Sequence, residues 1–334
     1  MVSRKECCVA DLEYEGFYRG NKVLVTGGLG FIGINVCLRL LELGAQVTVM
    51  DNFVPPNPGP PLDALLPRLR VAVADIRDEE KVERVIRDQG VIFNLAGKSG
   101  AADSNKTPLN DLDINCRGHL TILEACRRFN PKVAIVFPSS RLVYGKPRYL
   151  PVDEAHPAAP ESIYAAHKLN VENYHLIYGH LYGLKATVLR VTNPYGPLQL
   201  GDARAYGIAN KFIQSAVRGE ALTVFGAGEQ HRDYLYIDDL VHALLLAGSR
   251  EIARGKVYNI GDDRSASLME LAHLAVTTAG SGVITQIPWP EDYRAIETGD
   301  FQSDITLAER ELGWLPVTQL AEGVAKTVAF YQRH

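Results

Sequence analysis

The 334-residue sequence contains no run of about 18 apolar residues, so no transmembrane helix is predicted. Its first residues, Met1 to Gly20, carry acidic side chains where a secretory signal would have an apolar stretch, which predicts a cytoplasmic protein. Lysine and arginine (35) nearly balance aspartate and glutamate (39), and the net charge is −4. That balance gives no electrostatic reason to expect nucleic acid or an anionic membrane as a partner.

Cysteine is scarce, and its spacing matches neither a disulfide framework nor a metal site. The five cysteines are Cys7, Cys8, Cys37, Cys116 and Cys126. Three of them fall inside helical patterns, where a thiol usually behaves as a small hydrophobic group. We therefore expect no bound metal and no catalytic cysteine.

Short apolar segments alternate with helical patterns over the first two thirds of the chain. Strands are predicted at 22–26, 46–50, 70–74, 91–95, 133–138 and 187–191, and helices at 31–43, 78–89, 108–129 and 162–181. Apolar strands that alternate with helices indicate a parallel sheet covered on both faces. The predicted fold class is therefore α/β, a Rossmann-like doubly wound parallel sheet.

The regular alternation fades after residue 193. Helices at 205–218 and 238–248 and strands at 222–225 and 257–260 predict a smaller C-terminal α+β region. We expect an N-terminal extension at 1–20, a sheet domain at 21–193 and a smaller domain at 194–334. Segments near 234–262 are expected to return to the main sheet.

A glycine-rich segment, Gly27 to Gly33, directly follows the first strand and opens the first helix. Glycines let the backbone approach a pyrophosphate, and the helix N-terminus offers free N–H groups. Asp51 ends the second strand, where its carboxylate can bind ribose hydroxyls and would repel a 2′-phosphate, so NAD is favoured over NADP. The alternative is a glycine-rich turn that binds nothing. The predicted loop contacts are Gly27, Gly30, Phe31, Ile32 and Gly33.

Further polar or small residues follow the next strands, where ligands collect in such sheets. Asn52, Asp75 and Ile76 are predicted to lie near the cofactor, together with Leu95, Ala96 and Gly97. An alternative role for Asp75 is to cap the helix that begins near Asp78. These residues predict that NAD binds to the domain at 21–193.

Tyr164 and Lys168 are four residues apart, which places both side chains on one face of a helix. Tyrosine loses its proton near pH ~10, and a neighbouring cation lowers that pKa. The pair can therefore transfer a proton at neutral pH. The alternative is a half-buried helix face without chemistry.

Three motifs stand in a recognisable order with the glycine loop. They are Ser139-Ser140-Arg-Leu-Val-Tyr144-Gly, Tyr164 with Lys168, and Asn193-Pro-Tyr-Gly-Pro197. This order resembles the extended short-chain dehydrogenase/reductases, specifically the NAD-dependent nucleotide-sugar epimerase/dehydratase family. The resemblance extends from Asn21 to the C-terminus through Phe225 to Tyr234, Tyr258 to Gly261 and Leu312 to Pro316.

The resemblance implies that Ser140, Tyr164 and Lys168 are the catalytic triad and that Arg232 and Arg294 hold the diphosphate of a nucleotide sugar. An ion pair with Asp233 or Glu297 is the alternative for each arginine. It also implies that Asn193 contacts the diphosphate and that Phe225 lies near the base. The implied substrate contacts are Lys98, Ser99, Ser140, Arg141, Asn193, Phe225, Arg232, Arg294, Glu297 and Phe301.

The residues after Ser140 bear on the reaction. Related dehydratases carry Asp-Glu there, and related decarboxylases carry a Glu at the position of Leu142, whereas this chain has Arg141-Leu142. Without an additional acid and base, the simplest cycle is epimerisation at C4 of a UDP-hexose, interconverting glucose and galactose configurations through a 4-keto intermediate. Leu198 and Leu200 stand where similar uronic-acid epimerases use an arginine, which favours a neutral hexose.

Several alternatives remain open at this point. Arg141, Lys98 or Arg204 could supply a cation for an acidic sugar, and the ring of Phe301 disfavours N-acetylated sugars. A C2-epimerase, a dehydratase or a net oxidoreductase would use the same triad. A non-catalytic NAD-binding regulator is expected to have lost the tyrosine or the lysine. The resemblance further implies a homodimer formed through the helices near 108–129 and 160–182.

Overall fold

The computed structural model describes residues 14–53, 60–199 and 207–333. Its centre is a seven-stranded sheet with the order β3-β2-β1-β4-β5-β6-β11. All its strand pairs are parallel, so the predicted doubly wound fold is confirmed. The strands are β1 Lys22–Thr26, β2 Gln46–Asp51, β3 Arg70–Val73, β4 Val91–Asn94, β5 Ala134–Ser140, β6 Lys185–Val191 and β11 Lys256–Ile260.

The sheet is apolar on both faces because helices cover both. Val23 and Val25 of β1 pack into one core cluster, whereas Leu24 between them packs into the other. This alternation follows from the two-residue period of a strand. The helices are α1 Phe31–Glu42, α2 Pro60–Leu65, α3 Glu79–Ile86, α4 Ala101–Lys106, α5 Pro108–Leu112, α6 Gly118–Phe129, α7 Ile163–Tyr182, α8 Ile208–Val217, α9 Ile237–Ser249, α10 Leu268–Ala279, α11 Glu291–Arg294, α12 Thr306–Leu312 and α13 Leu320–Tyr331.

Strand order fixes where a ligand can bind. The chain runs from β1 outward to β3 and then crosses to β4 on the other side of β1. The carboxyl ends of β1 and β4 therefore flank the point at which the strand order reverses, where open parallel sheets bind their ligands. The glycine loop follows β1 at that point.

The C-terminal part of the chain contributes to the main sheet and also builds smaller ones. β11 pairs with β6 in parallel, and α9 lies in the core cluster of the sheet through Leu244 and Leu245. The short strands form three two-stranded pairs outside the main sheet. They are β7 Asn193–Tyr195 with β10 Tyr234–Tyr236, β9 His231–Arg232 with β12 Ala266–Ser267, and β8 Ala221–Phe225 with β13 Val283–Ile287.

Some predicted bounds were wrong. The single helix expected at 108–129 is divided, because a π-helical turn at Asp113–Arg117 separates α5 from α6. Positions 205–206 of another predicted helix lie outside the described residues, and α8 begins at Ile208. Residues 14–18 are helical and pack onto the sheet domain, where the Tyr18 hydroxyl donates to the Leu245 carbonyl at 2.8 Å.

Candidate active site

The glycine loop connects β1 to α1 by a turn that larger residues cannot form. Gly27 has φ +65°, which favours glycine. A Cβ at Gly27 would lie 2.8 Å from the Ala96 Cα, and one at Gly33 would lie 2.2 Å from the Gly27 carbonyl oxygen. Gly30 is the N-cap of α1 and offers no side chain to its free N–H groups. These N–H groups remain available to an anion.

Asp51 closes the loop from the neighbouring strand. Its two carboxylate oxygens accept the backbone N–H groups of Leu29 at 3.0 Å and Phe53 at 3.1 Å. Burial raises the pKa of Asp51, and these hydrogen bonds oppose the rise. The carboxylate is thus fixed beside the loop, as the predicted ribose contact requires. Phe31 and Ile32 begin α1 and are partly buried.

Asp75 follows β3 at the carboxyl edge of the sheet, close to Asn52, and does not cap a helix. It pairs with Arg77 through two hydrogen bonds of 2.8 Å, which hold the pKa of Asp75 down at about 2. Asp78 instead caps α3 by accepting the Lys81 N–H at 3.2 Å, so the capping alternative for Asp75 is wrong. The Asn52 amide donates to Asp75 at 3.4 Å. The side chain of Ile76 is buried and lies under Gly118.

The segment after β4 is held by a hydrogen-bond chain beneath the glycine loop. The Ala96 N–H donates to the Thr26 hydroxyl at 3.1 Å, and that hydroxyl donates to Asn94 at 3.2 Å. The Asn94 amide also lies 2.9 Å from Nδ1 of His119. Burial lowers the pKa of His119, so the ring is neutral. Leu95 and Ala96 are partly buried and Gly97 is exposed.

The three predicted catalytic residues come from two adjoining elements. Ser140 ends β5 and caps the following turn by accepting the Leu142 N–H at 3.2 Å. Tyr164 and Lys168 lie one turn apart near the start of α7. The Lys168 ammonium donates to the Pro138 carbonyl at 2.9 Å, which attaches α7 to β5 two residues before Ser140. Sequence positions 140 and 164 are thereby brought to the same strand end.

Burial dominates the electrostatics of this pair. It lowers the pKa of Lys168 to about 8, and it raises the pKa of Tyr164, with a further contribution from the Asp111 carboxylate. The lysine ammonium lies 5.8 Å from the Tyr164 ring centroid and 4.5 Å from that of Phe137. In the protein alone, burial therefore raises the pKa of Tyr164, which is opposite to the lowering expected from Lys168.

Sequence reasoning missed the residues that position Tyr164 and the 97–100 loop. Ser104 and Asn105 accept the N–H groups of Tyr164 at 2.9 Å and of the preceding residue at 3.0 Å, capping α7 from a different helix. Asn115, in the π-helical turn, exchanges two hydrogen bonds of 2.9 and 2.8 Å with the backbone of Lys98. The only signal of this role in the local sequence is Asn115 itself, a polar residue within an apolar helical pattern.

A second missed feature is the buried pair of Asp111 and His167. Oδ1 of Asp111 lies 2.7 Å from Nδ1 of His167, and the aspartate side chain is buried. Its other carboxylate oxygen has no hydrogen-bond partner within the described ranges. His167 lies between Tyr164 and Lys168 in α7. The negative charge of Asp111 therefore lies close to both residues and contributes a rise to the pKa of each.

The two predicted diphosphate arginines differ in their surroundings. Arg232 is buried, and its guanidinium donates to the Glu297 carboxylate and to the Gly299 carbonyl. An ion pair with Asp233 or Glu297 was the predicted alternative for either arginine, and Arg232 forms the pair with Glu297. Arg294 is exposed at the end of α11.

Arg141 lies close enough to Arg232 for the two positive charges to interact. Its Nη1 donates to the Thr298 hydroxyl at 3.1 Å, and its guanidinium carbon lies 5.0 Å from the Phe301 ring centroid. Phe301 is 1% exposed and packs in a cluster with Val143, Tyr144 and Val152. The ring thus supports the guanidinium from inside the protein.

The remaining predicted contacts lie at the periphery of this region. The Asn193 amide donates to the Asp233 carbonyl at 3.0 Å, and the Lys98 ammonium donates to the Thr107 hydroxyl at 2.9 Å. Ser99 is partly buried. Phe225 packs against Trp289 and Tyr293, with ring centroids 5.4 and 5.2 Å away. These rings form a partly exposed aromatic surface.

Comparison with known proteins gives a consistent result. The model of the NAD dependent epimerase/dehydratase family matches residues 23–261. A putative UDP-glucose 4-epimerase of Methanocaldococcus jannaschii is 33% identical over 310 residues, covering 92% of this chain and 97% of that protein. The structure of UDP-glucose 4-epimerase from Thermotoga maritima with UDP-glucose has a TM-score of 0.83 and 33% identity, covering 93% of this chain and 99% of that one. The Thermus thermophilus UDP-glucose 4-epimerase complex with NAD has a TM-score of 0.79 and 30% identity, covering 93% and 98%.

The sheet, the glycine loop and the Tyr-Lys helix define an extended short-chain dehydrogenase/reductase. Within that class, the chain belongs to the NAD-dependent epimerase/dehydratase family, as the resemblance predicted. The predicted cofactor, NAD, is confirmed with it. Similar proteins also carry the names UDP-glucuronate 4-epimerase, UDP-glucuronic acid decarboxylase and dTDP-glucose 4,6-dehydratase. No helix within the described residues is long and apolar enough to cross a membrane.

Proposed function

We propose that the protein epimerises C4 of a UDP-hexose through a transient 4-keto sugar. The observation that carries this proposal is the hydrogen bond from Lys168 to Pro138, which brings Tyr164 to the strand end that bears Ser140. The names of the similar UDP-glucose 4-epimerases support the choice of UDP and of C4. Arg141 and Leu142 follow Ser140, so no acid and base for elimination stand there.

The residues at the β1 and β2 ends fit NAD. In this proposal the loop from Gly27 to Gly33 holds the pyrophosphate, Asp51 holds the adenosine ribose, and Asp75 and Asn52 lie near the adenine. Leu95 to Gly97 border the nicotinamide half. Bound NAD supplies the hydride acceptor and donor for the sugar carbon.

The proton chemistry belongs to the chain itself. Tyr164 takes the proton of the C4 hydroxyl as hydride leaves that carbon, and Ser140 hydrogen-bonds the same oxygen. Because burial raises the pKa of Tyr164, the phenolate depends on the cation of Lys168 and on the positive charge of the bound cofactor. The ketone turns in the pocket and receives hydride on its other face while Tyr164 returns the proton to the oxygen, which restores the hydroxyl and inverts the carbon.

The substrate diphosphate is proposed to bind at Arg232, where a guanidinium fork suits it. That guanidinium is paired with Glu297, so binding exchanges one anion for another without leaving a buried charge alone. Arg294, which is exposed, is the proposed second arginine for the same group. Asn193 is the proposed neutral contact, and Phe225 is the proposed contact for the base.

Product analysis tests this function. Purified protein is incubated with UDP-glucose, UDP-galactose and related nucleotide sugars, and the products are identified by NMR. Inversion at C4 by the wild-type protein, abolished in Tyr164→Phe with nucleotide-sugar binding retained, is the expected result. Turnover by Tyr164→Phe would contradict the assignment of the proton-transfer residue.

The same incubation separates the alternatives. Inversion at C2 would identify a 2-epimerase, loss of water a dehydratase, and accumulation of reduced cofactor in proportion to product a net oxidoreductase. Absence of turnover on every sugar would favour an NAD-binding regulator. Both Tyr164 and Lys168 are present, and this favours an enzyme.

A homodimer through α6 and α7 also remains a proposal. Ile177, Leu181 and Tyr182 of α7 are exposed apolar or aromatic side chains. Exposed groups of this kind on one helix are typical of subunit contacts. Size-exclusion chromatography with light scattering, on the wild type and on Ile177→Glu, tests it. The cytoplasmic location stays a prediction from the sequence.

A further inference from the structure

Arg141 is an unusual residue in the proposed sugar-binding region. It directly follows Ser140 and begins the turn Arg141–Tyr144 at the end of β5. Its side chain is buried, with 8% of the residue exposed. A charged side chain in this position is costly unless an anion or several hydrogen bonds compensate the charge.

The neighbours of Arg141 support its guanidinium without neutralising it. The Thr298 hydroxyl accepts one hydrogen bond at 3.1 Å, and the Phe301 ring lies against the planar group. Among the residues that the structure describes, the other guanidinium N–H groups have no hydrogen-bond acceptor and no carboxylate forms an ion pair with them. The fork is therefore available for a ligand.

Two nearby carboxylates, those of Glu297 and Asp233, act on the charge of Arg141 without forming an ion pair with it. Glu297 accepts hydrogen bonds from Arg232 and from the Gly299 N–H. Oδ2 of Asp233 accepts the hydroxyl of Ser303 at 2.6 Å and its N–H at 3.1 Å, whereas Oδ1 has no hydrogen-bond partner among the described residues. Burial and the like charge of Arg232 lower the pKa of Arg141 to about 10, so the side chain remains a cation at neutral pH.

We propose that Arg141 binds a carboxylate on the sugar ring, so that the substrate is a nucleotide-linked uronic acid. This inference rests on the proposed function, in which Ser140 contacts the reacting hydroxyl and its neighbour therefore faces the sugar. The diphosphate is assigned to Arg232 on β9, a different element. A planar guanidinium donates two parallel hydrogen bonds to a carboxylate, which a neutral hydroxymethyl group cannot accept in the same way.

The inference changes one expectation from the sequence. Leu198 and Leu200 favoured a neutral hexose because they stand, after the Tyr-Gly-Pro motif, where similar uronic-acid epimerases use an arginine. Leu198 is buried, and Leu200 and Arg204 lie outside the described residues. Arg141, in the motif that begins at Ser139, supplies the cation for the sugar carboxylate instead.

A kinetic comparison tests the inference. kcat and KM are measured with UDP-glucuronate and with UDP-glucose for the wild type, Arg141→Met, Arg141→Lys and the exposed control Arg218→Met. The wild type is expected to prefer the uronate. Arg141→Met should raise KM for the uronate by about 10- to 100-fold, the value of a charge-assisted hydrogen-bond pair, and change kcat/KM for the neutral sugar less than about threefold. Arg141→Lys should recover part of the uronate preference, and Arg218→Met should match the wild type.

Calorimetric binding of UDP alone serves as the second readout and shows that each variant is folded. UDP affinity is expected to be unchanged in Arg141→Met. A wild type without preference for the uronate would overturn the inference, and so would an equal loss of affinity for UDP, which would assign Arg141 to the diphosphate. If neither sugar is epimerised but the wild type binds UDP-glucuronate more tightly than UDP-glucose, and Arg141→Met removes that difference, the proposed function fails and the role of Arg141 stands.

Discussion

Lys168 carries a charge that folding buries without a carboxylate partner in direct contact. The ammonium is held by the Pro138 carbonyl at 2.9 Å and lies over the Phe137 ring at 4.5 Å. Burial lowers its pKa from 10.5 to about 8. Since one pKa unit corresponds to about 1.4 kcal/mol, burying the charged form costs about 3 kcal/mol of stability at pH 7.

Replacing Lys168 by Met should therefore stabilise the protein without bound cofactor at pH 7, while abolishing turnover. The lost hydrogen bond to Pro138 offsets about 1 kcal/mol, which leaves a gain of about 2 kcal/mol. The sign depends on pH. At pH 7 the lysine is charged in both the folded and unfolded wild type, and the full cost applies. Between about pH 8 and its ordinary pKa of 10.5, the folded wild type releases the proton first, so the cost disappears.

Urea unfolding of the wild type and Lys168→Met at pH 7 and pH 10.5 measures this difference. The gain should be present at pH 7 and should vanish at pH 10.5. Lys185→Met, which removes an exposed lysine paired with Glu251, is the matched control and should show no such change. If the difference between Lys168→Met and the wild type is the same at both pH values, the buried charge of Lys168 does not destabilise the fold.

Three other changes probe the site and its support. Glu172→Gln removes one partner of a buried ion pair with Arg190, whose shortest contact is 2.7 Å, and should lower the free energy of unfolding by about 3–5 kcal/mol in urea titrations. Gly33→Ala places a methyl group 2.2 Å from the Gly27 carbonyl oxygen and should abolish NAD binding measured by fluorescence; normal affinity would contradict the packing of the loop. Asp111→Asn removes a carboxylate that raises the pKa of Tyr164, the proposed proton acceptor, so the acidic limb of the pH–rate profile should move to lower pH, and an unchanged profile would exclude this influence.

The main sheet could be predicted because each of its strands is specified by its own short stretch of sequence. Each strand from β1 to β6 is a short apolar segment followed by glycine or polar residues, and that pattern predicts a buried parallel strand wherever it occurs. The glycine loop and Asp51 could be placed for the same reason, since both lie at strand ends. The bounds of α7 differ from those predicted by one residue at each end.

The unpredicted features depend on contacts between distant positions. Ser104 caps α7 from 60 residues away, and Asp111 pairs with His167 across 56 residues. No spacing in the sequence specifies either contact. The short strands β9 and β12 have two residues each, too few to show a period. The pairing of Asp75 with Arg77 was not predicted, because both residues lie directly before α3 and resemble the start of that helix.

In the proposed cycle, one sugar carbon loses a hydride and regains the same one. The most direct measurement uses a UDP-hexose labelled with deuterium at C4, incubated in ordinary water with the wild-type protein, and product NMR. We expect inversion at C4 with the deuterium retained at that carbon. Inversion accompanied by exchange of the label with solvent, or retention of configuration with change at another carbon, would contradict it.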